Sequence, residues 1–167
     1  MTNTKKLATL GLLTALVIVL QLFVVIKIGF FSLSTVLIPI VVGAAIFGPS
    51  AGAWLGLVFG MAVLLSGDAT FFMGLNAPGT IILVLAKGIA AGAVAGLLYK
   101  KSPLAACASA PIVNTLVFIL GCLVFYDYDL KYIIITFVGI NFIIEFIFNL
   151  AMSYVVTRLI RIYANLG

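Results

Sequence analysis

Residues 79–99 read GTIILVLAKGIAAGAVAGLLY, with a single charge at Lys87 and glycines at 88, 92 and 96. A helix crossing the hydrocarbon of a bilayer needs about 20 mainly apolar residues, because lipid offers the backbone no hydrogen-bond partner. This run meets that requirement, and the rest of the chain repeats it. Working outward, breaks fall at Lys27–Ser32, Gly48–Ala51, Ser66–Pro78, Lys100–Pro103 and Tyr126–Lys131. They predict helices near 7–26, 33–47, 51–65, 79–99, 103–125 and 132–160. The second and third are short, and Pro39 sits inside the second, so tilt, interruption or shielding by neighbours is expected there. The predicted fold is an all-α integral membrane protein: one domain over residues 1–167, a compact bundle of six transmembrane helices.

Composition requires the same solvent. The 167 residues are 65% hydrophobic and 8% charged, with mean hydropathy +1.41. A soluble domain is about one half apolar and one quarter charged. Net charge is +5, but the basic residues stand singly or in pairs among apolar runs. That pattern suits loops against an anionic leaflet and not a nucleic-acid patch. With no histidine in the sequence, His-based metal sites and His-dependent triads are excluded. Cys107 and Cys122 share one apolar run and read as small buried hydrophobes. Lys5 and Lys6 before an apolar run resemble the start of a signal peptide, yet the run continues to about Ile26 with no A-x-A-like site, so a retained first helix is expected.

Charge gives direction. With six spans, Lys5, Lys6, Lys100, Lys101, Arg158 and Arg161 share one side, while Lys27 and Lys131 lie opposite with Asp68, Asp127 and Asp129. The positive-inside rule then predicts that both termini are cytoplasmic. On the outer side, the stretch Ser66–Gly79 mixes glycines, Asp68 and Asn76 with Phe71, Phe72 and Met73. It reads either as a lid folded over a cavity or as an interfacial connector.

Gly52, Gly56 and Gly60 in the third helix and Gly88, Gly92 and Gly96 in the fourth recur at small-xxx-small spacing, which lets two backbones approach closely. The first helix carries Ala8, Gly11 and Ala15 on an uncharged face, open to lipid, to another helix or to another subunit.

Two ionisable residues lie deep in the spans, Lys87 and Glu145. Each costs a few kcal/mol or more at bilayer depth unless paired or solvated, so each is a functional candidate. Asn141, Glu145 and Asn149 form one stripe at i, i+4, i+8. Asn114 and Thr115 follow Pro111, and Gln21 lies in the first helix. The consistent arrangement turns Lys87, Asn114 and the stripe toward a shared cavity. There Lys87 would offer positive charge to a carboxylate or polar ring, and the asparagines directional hydrogen bonds, with Asn76 and Phe71 reaching in from the outer loop. A purely structural Lys87–Glu145 pair is the alternative. No paired carboxylate or metal-ligand set assembles from the spacing, so neither a catalytic nor a metal site is expected; Asp127-x-Asp129 reads as an interfacial turn.

At these residues the chain resembles an S component of the energy-coupling-factor (ECF) transporters. The likeness rests on Lys5-Lys6-Leu-Ala-Thr-Leu-Gly-Leu-Leu-Thr-Ala15, on Ile46-Phe-Gly-Pro-Ser-Ala-Gly-Ala-Trp-Leu-Gly56, on the outer loop entering Pro78-Gly79, on Lys87-Gly88 and on Pro111-Ile-Val-Asn-Thr115, and covers nearly the whole length. It implies a subunit of a bacterial cell membrane that captures a vitamin or related micronutrient near the outer face, under the loop between helices one and two and other outer loops. It further implies a membrane coupling protein and two cytoplasmic ATPases as partners, with the S component toppling in the membrane to carry substrate inward. The family's Ala-xxx-Ala contact with the coupling protein has its nearest match here in Gly11-xxx-Ala15. No G-x-x-x-x-G-K-[ST] sequence is present, so ATP use falls to the partners and no cofactor is expected in this chain. Lys87 with neighbouring amides suits a small acidic, polar vitamin, pantothenate first, with riboflavin or another aromatic vitamin next. A self-sufficient small transporter or channel, oligomerised through the glycine seams, is the alternative function.

Overall fold

The computed structural model describes residues 3–24, 26–28, 31–33 and 35–165. The elements are α1 (Asn3–Phe23), β1 (Ile26–Ile28), β2 (Phe31–Leu33), α2 (Leu37–Phe47), α3 (Pro49–Ser66), α4 (Thr70–Leu75), α5 (Ala77–Tyr99), α6 (Pro103–Phe125), α7 (Leu130–Ile133), a π-helical segment (Ile134–Val138) and α8 (Gly139–Asn165). Among the described residues, five helices are long and apolar enough to cross a membrane, within α1, α3, α5, α6 and α8, and α2 is a shorter apolar helix.

The boundaries follow from local chemistry. Gly48 separates α2 from α3 at φ +91°, a conformation that a Cβ would strain. Pro49 follows as the first residue of α3, where its missing N–H is no loss. Ser102 caps α6, its hydroxyl accepting from the Ala105 N–H at 3.2 Å. Pro39 is not a mid-helix break, because α2 begins at Leu37 and places it in the first turn. The shielding by neighbours expected for this short helix is realised. Leu37, Pro39, Ile40, Val41, Val42, Gly43 and Ala44 are all buried, and α2 touches α1, α3, α5, α6 and α8.

The glycine seams close on each other inside the chain. A Cβ at Gly56 would run into the carbonyl of Gly88, one at Gly92 into that of Gly52, and one at Gly60 would lie 2.9 Å from the Val84 oxygen. The α3–α5 pair therefore packs backbone to backbone, and this seam is spent within the chain instead of between copies. Beside it, Leu13 and Val17 of α1, Ile40 of α2 and Leu55, Val58 and Phe59 of α3 form the main apolar core. Large side chains such as Leu12 (71% exposed), Leu65 (81%) and Val124 (74%) face outward, as helices solvated by lipid require.

α1, α2, α3, α5, α6 and α8 run alternately between two ends. At one end Lys6 Nζ lies 5.9 Å from the Phe47 ring, and Ile46, Lys100, Lys101 and Arg161 line one groove. The opposite end is tied by polar contacts. Gln21, buried in α1, donates to Asp68 at 2.7 Å, and the Ser66 hydroxyl donates to the same carboxylate at 3.0 Å. Gln21 is thus engaged at this rim. Asp129 caps α7, accepting from the Lys131 N–H at 3.1 Å.

Asn76 holds two elements at once. Its Oδ1 accepts from the Gly79 N–H at 3.0 Å and its Nδ2 donates to the Phe125 carbonyl at 3.1 Å. Asn76→Ala is expected to cost about 1 kcal/mol for the lost cap, more if the Phe125 carbonyl is left unsatisfied. A lowered thermal midpoint in detergent measures it.

Candidate functional site: a cavity between α5, α6 and α8

Lys87 of α5, Asn114, Thr115 and Phe118 of α6, Phe137 and Val138 of the π-helical segment, and Phe142 and Glu145 of α8 line one cavity of about 220 Å³. Three helices contribute because each carries its polar residue on the face turned from lipid. Packing α5 between α3 and α6 fixes Lys87, whose Nζ lies 5.7 Å from the ring centres of both Phe59 and Phe118. Two aromatic faces beside an ammonium stabilise it by cation–π attraction where water is scarce. The charge is held in place yet still faces the cavity.

Asn114 adds an acceptor. Its Oδ1 is buried without a hydrogen-bond partner among the described residues, a deficit of about 1–3 kcal/mol if it stays unmet. A donor brought by a ligand removes that deficit. Glu145 lines the same cavity, and one turn further along α8 the fully buried Asn149 donates to the Glu145 carbonyl at 2.9 Å. The side chain of Asn141 lies outside the described residues.

One side of the cavity is aromatic. Phe137 stands at the centre, its ring 5.3 Å from Phe72, 6.2 Å from Phe118, 6.0 Å from Tyr128 and 5.9 Å from Tyr132. Phe71 joins this cluster through Phe72 at 5.2 Å and Phe137 at 6.4 Å. These rings reach the cavity wall because residues 70–75 fold as α4. Phe72 also meets Phe118 edge-on at 5.5 Å. The segment therefore packs against two of the rings that line the cavity. Tyr126 braces the rim: its hydroxyl and that of the fully buried Thr80 lie 2.6 Å apart. Burial pushes the Tyr126 phenol above its ordinary value, and the Thr80 hydrogen bond opposes that shift.

The π-helical segment matters to this geometry. An extra residue per turn over Ile134–Val138, ending at Gly139 with φ +37°, departs from a regular helix where Phe137 and Val138 enter the wall. Such departures are frequent at functional sites. The structure thus brings Lys87, Asn114 and Glu145 together, and seats Phe71 in the aromatic cluster beside them. Asn76 caps α5 outside the lining. Thr115, beside Asn114 in the sequence, lines the cavity with it, whereas nothing in the sequence pattern singles out Phe59 or Val138.

Over residues 5–160 the sequence matches the family model described as ECF transporter, substrate-specific component. The chain belongs to this family. It is an S component of an ECF transporter, a multi-pass membrane protein, and the family is one of transporter subunits and not of enzymes. No curated protein matches the sequence. The S component's first helix presents Ala8, Gly11 and Ala15 at its surface, and a Cβ at Gly11 would meet nothing within 4 Å. That face is available to lipid or to a partner.

Proposed function

We propose that this S component captures a small acidic, polar vitamin in the cavity between α5, α6 and α8, with pantothenate the first candidate. One observation carries the reading: Lys87, Asn114 and Glu145 line a single cavity walled by aromatic rings. Lys87 supplies the charge for a carboxylate, while Asn114 and Glu145 take up donors such as hydroxyl or amide groups. Asn141, one turn from Glu145, belongs to the same set, Phe71 acts through the aromatic cluster, and Asn76 anchors the outer end of α5. A volume of about 220 Å³ is below the roughly 300–1,000 Å³ of drug-sized sites, which favours a compact ligand over a tricyclic one such as riboflavin.

The chain crosses the bacterial cell membrane six times with both termini cytoplasmic, placing Lys5, Lys6, Lys100, Lys101, Arg158 and Arg161 inside. The aromatic cluster then faces outward, where substrate arrives. Uptake is driven by ATP hydrolysed on two cytoplasmic ATPases, coupled through a membrane protein that packs on Ala8, Gly11 and Ala15.

In liposomes, pantothenate uptake is expected only when the coupling protein and ATPases are added with ATP. Uptake by this chain alone would overturn the assignment. Gly11→Trp is expected to abolish co-purification with the coupling protein while leaving vitamin affinity within about twofold, since the small surface is the part that admits a second backbone closely. A pull-down and a binding titration on the same preparation check both halves.

A further inference from the structure

We propose that the groove at the basic end of the bundle binds the phosphate headgroup of an anionic phospholipid. Two adjoining cavities there, of about 620 and 470 Å³, share Tyr99, Pro103, Thr157 and Arg161. Lys100 and Lys101 line the first and Arg158 the second. No acidic side chain among the described residues lines either one. The sequence has only four acids, at 68, 127, 129 and 145. The nearest along α8, Glu145, is sixteen residues from Arg161, about 24 Å at the helical rise.

Four cations gathered without an acid repel one another, so the counter-charge comes from outside the chain. Guanidinium presents a fork that matches phosphate oxygens, and lysines add point charge. The rest of the groove selects among phosphate sources. Ile46 of α2, Leu104 of α6 and Ile162 of α8 stand in the same walls, and each is 36% exposed or more. A free phosphate has no use for them, whereas acyl chains do. The groove also sits where α5 ends and α6 begins, at the level where a bilayer places headgroups, and basic pockets between transmembrane helices suit anionic lipid. The inference does not depend on which vitamin is carried.

The test is thermal unfolding of the purified protein in an uncharged detergent, titrated with short-chain phosphatidylglycerol, short-chain phosphatidylcholine or inorganic phosphate. Phosphatidylglycerol is expected to raise the midpoint of the wild type, and the other two to leave it unchanged at equal concentration. In the double variant Lys100→Gln/Arg161→Gln the lipid concentration giving half the shift should rise at least tenfold. In Lys5→Gln/Lys6→Gln, which loses equal charge at the same end, it should stay within twofold. Equal weakening in both variants would mean diffuse attraction and overturn the site. An equal response to inorganic phosphate would overturn the lipid assignment. So would no response to lipid together with midpoint stabilisation by the purified coupling protein that is lost in the groove variant. Each variant's midpoint without lipid reports its folding. If Lys100→Gln/Arg161→Gln does not fold, Lys101→Gln/Arg158→Gln takes its place, with retained phosphatidylglycerol counted by native mass spectrometry. Retention equal to wild type in that variant would contradict the proposal.

Discussion

Gly56→Ala will destabilise the bundle by about 3 kcal/mol or more, at the upper end of overpacking costs, whereas Gly11→Ala will leave it unchanged or slightly firmer. On propensity alone both substitutions should help, since alanine is favoured over glycine inside a helix by about 1 kcal/mol. The surroundings decide the sign. At Gly56 the added carbon meets the Gly88 carbonyl and lies 3.0 Å from the Ile89 nitrogen, while at Gly11 it meets nothing within 4 Å. Backbone cannot swing aside as a long side chain can. The α3–α5 pair must separate, and separation displaces Phe59 from Lys87 as well. Thermal unfolding in detergent should show a large loss for Gly56→Ala and none for Gly11→Ala, and equal behaviour of the two would refute the close seam.

Lys87→Ala is expected to weaken vitamin binding by more than tenfold, about 1.4 kcal/mol, while the protein still inserts and folds. A charge-assisted hydrogen bond to a carboxylate is worth about 1.5–3 kcal/mol, which covers that loss. Removing an ammonium from the depth of a span also relieves a cost of a few kcal/mol, so insertion is not harmed. The structural ion-pair alternative predicts the reverse: affinity kept among the molecules that fold, and folding lost. Measuring affinity and thermal midpoint on one preparation separates the two.

Much of this fold is legible in the amino-acid sequence. Apolar runs must be helices where lipid is the solvent, and Gly48-Pro49 and Ser102-Pro103 punctuate them by chemistry that acts locally. The seam was legible too, because glycines at every fourth residue have few other uses on two neighbouring helices. Lys87, Asn114 and Glu145 could be grouped because a lipid-facing position for any of them is too costly. What local pattern could not reveal was irregularity. The π-helical turn at Ile134–Val138 leaves no periodic mark in a run that is apolar on every face. The six residues of α4 are too few for a helical stripe. Phe59 looks like any other apolar residue until the seam is given a register. Setting Gly56 against Gly88 in antiparallel helices brings 59 beside 87, so that contact was recoverable in principle. Asn76 carries a cap signal in the Ala-Pro that follows it, and the structure shows that cap made.

Native mass spectrometry of the protein purified from cells, wild type beside Lys87→Ala, measures most directly whether the cavity holds a nutrient. The wild type should carry one vitamin-sized molecule that matches pantothenate or another member of a vitamin panel, and folded Lys87→Ala should carry none. Equal occupancy in both proteins, or an empty wild type that binds no vitamin at submicromolar concentration, would contradict the account.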